Sequence, residues 1–171
     1  MENLSEFDSF FETILEYGKY TKNQFNEYYD KLSKIYLQLD NDPTINLANF
    51  YEKLKIAQDT KSIVIDVMMG ALSIKASWQA YVSVAEKYLR EFKSNSLSLV
   101  KDLKNKDLQE AKIYSLNPKI FDCYNYCESM LDYVETMLKV FDLKLDLVES
   151  FNLNINRQIT VTELLSYKGL L

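Results

Sequence analysis

Between residues 7 and 39 the chain repeats in alternating steps of four and three: Phe7, Phe11, Ile14, Gly18, Thr21, Phe25, Tyr28, Leu32, Ile35 and Leu39. Such a repeat keeps its side chains on one stripe of an α-helix, and a stripe of this kind packs against partner helices. The pattern predicts a first helix of roughly 50 Å, capped by Ser5 and ended by the turn-forming Asp40-Asn41-Asp42-Pro43. Gly18 and Thr21 interrupt the stripe where another backbone can approach closely.

A second helical region is expected from Asn46 to Lys93. Its stripe is clear from Val64 through Val67, Ala71, Ile74, Trp78, Tyr81, Ala85, Tyr88 and Phe92. Between Ile63 and Leu72 apolar residues cover most of the circumference, which places this helix at the centre of a bundle. Gln58–Lys61 disturbs the pattern and reads as a break. The charged stretch Ser94–Tyr114 is weakly patterned, with Leu97, Val100, Leu103, Leu108 and Ala111 as its expected buried side.

The next helix announces itself. Asn117 suits an N-cap, Pro118 the first helical position, and Leu116 can staple onto Phe121. A stripe then runs through Ile120, Tyr124, Cys127, Leu131, Val134, Leu138, Phe141, Leu145 and Val148. After Ser150 the period changes to two: "FNLNINRQI" alternates apolar residues with asparagine, as an extended arm or short strand would. Phe151, Leu153 and Ile155 would then share one face, suited to docking on a neighbour by strand addition. Folding back over the bundle is the favoured alternative, because apolar termini are ordinarily buried. The capping-box spacing of Thr160 and Glu163, with Gly169 as a stop, predicts a short terminal helix. The expected organisation is a bundle over 1–150 and an arm over 151–171.

Composition agrees. Hydrophobic residues make up 47% and charged residues 26%, as in a folded chain. Three glycines and two prolines in 171 residues are too few for the turns of a sandwich or barrel. The predicted fold is therefore all-α: an antiparallel helical bundle of three to five helices, two or three of them long with coiled-coil-like seams, plus the short C-terminal arm. Thirteen tyrosines and nine phenylalanines supply contact area for cores and subunit interfaces. The formal charge of −5 gives no overall attraction to nucleic acid or to an anionic membrane. All but Arg90 and Arg157 of the 20 basic residues are lysine, and Asn, Ile and Tyr are abundant, the mark of an AT-rich genome such as that of a low-GC bacterium or its phage. The N-terminal stretch lacks a basic leader, and the most apolar run, Ile63–Ile74, is short and contains Asp66. A cytoplasmic or virion-associated protein, neither secreted nor transmembrane, is expected, with its thiols reduced.

Candidate chemistry is sparse. Cys123 and Cys127 are the two cysteines. Four apart on a helix, their Cβ atoms would lie about 5–6 Å from each other, where a disulfide needs roughly 3.5–4.5 Å. A structural zinc site wants four ligands, and the chain has no histidine. Cys127 lies on the stripe and Cys123 on the flank shared with Met130 and Met137, so both read as packing residues. Without histidine, Ser-His-Asp and Cys-His catalysis are excluded, and the scattered Gly18, Gly70 and Gly169 form no phosphate loop. The expectation is a non-enzyme with no cofactor and no metal.

One charge pattern stands beside the last stripe: Glu128, Asp132, Glu135, Lys139, Asp142, Asp146 and Glu149, in the same 4-3 steps. Like charges one turn apart cost a few tenths of a kcal/mol each. The stripe is either a solvated face or a surface for a lysine-bearing helix, a basic protein or divalent cations. Its six carboxylates join Phe151, Leu153 and Ile155 as candidate interaction residues. Trp78, Tyr81 and Tyr88 share a stripe with Ile74 and Phe92, so they read as core and not as a base-stacking platform. Lys101–Lys112 is the one locally basic region, mixed in sign and weak as a nucleic-acid site. These features point to a structural or assembly protein working through helix-face packing, its partners other protein subunits in a homo-oligomer or larger assembly. The alternatives are an accessory protein of nucleic-acid metabolism, or a small inhibitor that sequesters a basic partner.

Overall fold

Each of the three apolar stripes becomes one long helix. In the structure, a computed structural model, the described backbone covers residues 2–40 and 49–168, with side chains over 6–34 and 49–168. Helix α1 spans Glu2–Asp40, α2 Phe50–Ser96, α3 Lys106–Leu116 and α4 Pro118–Tyr167, with a 3-10 turn at Leu97–Leu99. No strand occurs among the described residues, and the protein is an all-α helical bundle. The side chains of Ser5, Ile35 and Leu39, the turn after Asp40, Asn46 and Gly169 lie outside the described residues.

On α1 the stripe is buried at Phe7, Ile14, Gly18, Thr21, Phe25 and Leu32. The helix begins at Glu2, so Ser5 lies inside it and does not cap it. On α2 the stripe extends back to Ala57 and Thr60 and passes through Gln58–Lys61 without a break. Thr60 is tolerated at a buried position because its hydroxyl donates to the Ile56 carbonyl at 2.7 Å. The expected all-round burial between Ile63 and Leu72 does not occur: Ile65, Met69 and Leu72 remain exposed.

The connection from α2 to α4 differs most from expectation. Val100 is fully buried and Leu103 half-buried, but Leu97, Leu108 and Ala111 face outward. Helix α3 is capped by the Asn105 side chain, which accepts from the Asp107 N–H at 2.8 Å, and buries Ile113 instead. Helix α4 starts at Pro118 as its sequence requires and then continues for 50 residues. The extended segment expected at Phe151–Ile159 is therefore helical, and the arm is the final turns of α4. Val148 and Ile155, both fully buried, are seven residues apart, so the helical register of the bundle carries through the alternating segment. Thr160, read as a cap, donates to the Asn156 carbonyl at 3.1 Å as a mid-helix threonine does.

The chain divides into two compact units, Met1–Lys22 with Ser73–Glu135 and Asn23–Leu72 with Thr136–Leu171. In the first, Phe7 meets Tyr88 (ring centroids 5.4 Å apart) and Tyr17 meets Trp78 (5.5 Å), so α1 and α2 run antiparallel. Lys119 of α4 pairs with Asp8 at 2.5 Å, and Tyr126 lies against Gly18, so α1 and α4 run the same way. Trp78 is completely buried, and its indole N–H donates to Thr21 Oγ1 at 3.0 Å. That bond explains the threonine in the stripe: a buried indole requires an acceptor. Gly18 has a similar reason, since a Cβ there would collide with the Tyr126 hydroxyl and stand 3.0 Å from its Cζ. In the second unit Phe25 stacks on Phe141 at 5.7 Å, and Tyr28 meets the edges of both rings. The Tyr28 hydroxyl end covers Gly70, whose absent Cβ would sit 3.1 Å from Cζ. Asn152 Oδ1 is buried there without a hydrogen-bond partner among the described residues.

Candidate interaction surfaces

The acidic stripe of α4 is partly consumed inside the molecule. Glu135 pairs with Lys75 at 2.8 Å in the first unit, and Glu149 pairs with Lys61 at 2.8 Å in the second. The lysine-bearing helix that such a stripe would suit is thus α2 of the same chain at these two positions. Glu128 accepts a hydrogen bond from Tyr124, which pushes the phenol's pKa up to about 12. Asp132, Asp142 and Asp146 are exposed, and the last two have no cationic partner among the described residues. Both ion pairs are open to water, so each contributes only about 0–1 kcal/mol.

The arm residues do not form one face. A helix turns about 100° per residue, so Phe151 and Ile155 lie on one side and Leu153 on the other. Ile155 is fully buried, Phe151 half-buried and Leu153 exposed. With α4 helical here, no extended edge exists for strand addition at these positions.

Both cysteines are free and fully buried. The hydrogen bond to Cys123, followed by burial, holds the Cys127 thiol well above the ordinary thiol range. A thiol kept protonated is a poor nucleophile and a poor metal ligand. Cys123 and Met130 are more deeply buried than Tyr124 and Leu131. The inward face of α4 in this unit is therefore rotated toward the thiol and thioether flank. Among the described residues no three Cys, Asp or Glu side chains gather into a metal-holding group.

A groove of about 530 Å³ opens in the first unit where α2, α3 and α4 converge. Phe121, Ile113 and Leu97 are its apolar lining, and Arg90, Lys93 and Lys106 line it with the single carboxylate of Glu110; Arg90 is itself paired with Glu86 at 2.5 Å. Phe121 is braced by Phe92 at 6.3 Å and Tyr114 at 5.2 Å, both edge-on, and the Lys93 ammonium lies 5.4 Å above its ring. The Gln109 amide donates to the Leu103 carbonyl and ties α3 to the preceding loop. Sequence reading saw this region as a mixed-sign basic stretch. It missed the groove because Arg90, Lys93 and Phe121 come from distant parts of the chain.

Uncovered apolar side chains form the remaining surface. Ile65, Met69 and Leu72 are 42%, 64% and 46% exposed, in a 4-3 row on the outer side of α2. On α4, Leu143 and Leu147, one turn apart, are 69% and 57% exposed. Among the described residues no helix is long and apolar enough to cross a membrane. The chain matches no protein-family profile, no curated protein and no solved structure at a significant level.

Proposed function

We propose that this is a non-catalytic assembly protein that associates through helix faces with other protein subunits, further copies of itself included. A phage or mobile-element component in a cytoplasmic or virion-associated setting fits its lysine- and asparagine-rich composition. The observation that carries this reading is the Ile65–Met69–Leu72 row. It repeats with the spacing of the α2 core stripe but on the opposite side of the helix, as a second seam does. Apolar side chains aligned in water gain roughly 25 cal/mol per Å² when another surface covers them.

Size-exclusion chromatography with light scattering tests it, with the ultraviolet absorbance ratio recording any bound nucleic acid. The expected result is a nucleic-acid-free oligomer that Met69→Lys shifts toward monomer, since Met69 is already exposed and its charge does not disturb the core. A monomer at every concentration overturns self-association.

A further inference from the structure

The groove of the first unit and the outer face of α4 in the second are opposites. The groove is lined by apolar Phe121, Ile113 and Leu97 and by the cations of Lys93 and Lys106 against the carboxylate of Glu110, while its Arg90 is already paired with Glu86 at 2.5 Å. The α4 face has Leu143 and Leu147 at its centre, with exposed Asp142 and Asp146 beside them and Lys139 one turn before Leu143, a net acidic flank. We propose that these surfaces bind each other between copies of the chain, the groove of one receiving the Leu143–Leu147 face of the next. The inference rests on the self-association reading and names a contact for it.

Two observations favour a second copy as the occupant, and a third bears on how the copies orient. Two leucines one helical turn apart, about 5–6 Å, suit an apolar lining of this kind, and the groove volume of about 530 Å³ admits their side chains. The charges match in sign, Lys93 and Lys106 to Asp142 and Asp146, and neither aspartate has an internal cationic partner among the described residues. The third is the net charge of −5. Copies of an acidic chain repel one another over most of their surface, and the groove is one place where a copy offers cations beside apolar area. Such a contact selects one docking orientation against the rest. Because it joins two different patches, each pair keeps one free groove and one free face. Association is therefore head to tail, closing into a ring or continuing as a filament.

Sedimentation velocity on the full chain decides the matter, with circular dichroism confirming that the surface variants are folded. Lys93→Glu with Lys106→Glu should weaken association by roughly tenfold or more, as should Asp142→Lys with Asp146→Lys. High salt should weaken the wild type in the same direction. A chain carrying all four substitutions should regain association, since the charges are exchanged across the contact. A wild-type monomer at all concentrations overturns both this contact and the self-association beneath it. An oligomer that neither variant perturbs overturns this contact and leaves the assembly reading standing. Weakening by the groove variant alone, without rescue in the fourfold chain, assigns the groove to another acidic surface and overturns the α4 face as its occupant.

Discussion

The two units use the same three long helices to different ends. The first builds its core around Trp78, with Cys123, Cys127 and Met130 among the fully or nearly fully buried residues. Three tyrosines, Tyr17, Tyr81 and Tyr126, lie against the indole with ring centroids 5.5, 5.6 and 6.2 Å away. The core of the second combines the Phe25–Phe141 stack with fully or nearly fully buried Val64, Val67 and Val148. The first unit also holds α3, and many of its exposed apolar residues (Leu97, Leu99, Leu108, Tyr114 and Leu116) gather about the α2–α3–α4 connection. Among its described residues the second has no short helix, and its exposed apolar residues lie along the long helices themselves. The short helix α3 thus comes with a groove, which Leu97 helps to line, whereas the long helices of the second unit leave exposed apolar residues in rows. Both units share one device, a tyrosine laid over a helical glycine.

The sharpest test of this contrast is truncation at each centre. Trp78→Ala and Phe141→Ala should each cost about 3–5 kcal/mol in denaturant unfolding. Thr21→Val should cost about 1–3 kcal/mol, because it strands the buried indole N–H. No loss in Thr21→Val would mean that the hydrogen bond does not organise the first core.

A smaller effect probes the shared device. Alanine at Gly18 or Gly70 improves helix propensity by about 1 kcal/mol, but its methyl group strikes a packed tyrosine, an overpacking cost of about 1–3 kcal/mol. Net destabilisation is expected in both units. Tyr126→Phe should relieve Gly18→Ala in part, because it removes the colliding oxygen but leaves Cζ close. Additive effects in that double-mutant cycle would show that the two positions do not touch.

The smallest effect belongs to the acidic stripe. Tyr124 should titrate near pH 12 by ultraviolet absorbance, above the ordinary value of 10.0, and Glu128→Gln should move it back down. The sign follows from linkage: a phenol with a raised folded-state pKa contributes stability that is present below the ordinary value and lost as pH climbs through the raised one. An unshifted Tyr124 would place Glu128 among the free carboxylates of the stripe.

Much of the helical architecture could be read from spacing alone, because burial on a helix repeats with a fixed period. Phe7, Ile14, Phe25 and Leu32 on α1, the α2 stripe from Val64 to Trp78, and Pro118 at the head of α4 all lie where local pattern and local chemistry put them. The candidate surfaces were only partly readable. The carboxylates were visible as a stripe, but their lysines sit on another helix. Alternation in "FNLNINRQI" suggested an arm, since a period of two and an i, i+4 row coexist in those residues and spacing alone does not choose between them. The continuing register of Val148 and Ile155 against the rest of the bundle made the choice. Likewise Thr60, whose polarity marked a break, became an ordinary buried helical residue through its own carbonyl four residues back.

Sequence by itself determined that this chain is helical and which stripe of α1 and α2 turns inward, because both follow from contacts a few residues apart. Tertiary structure alone decided how far α4 is rotated toward its thiol flank, which carboxylates are spent on α2, and where cations and apolar lining meet in a groove. Those outcomes depend on which distant side chains compete for the same space, and no local period encodes that competition.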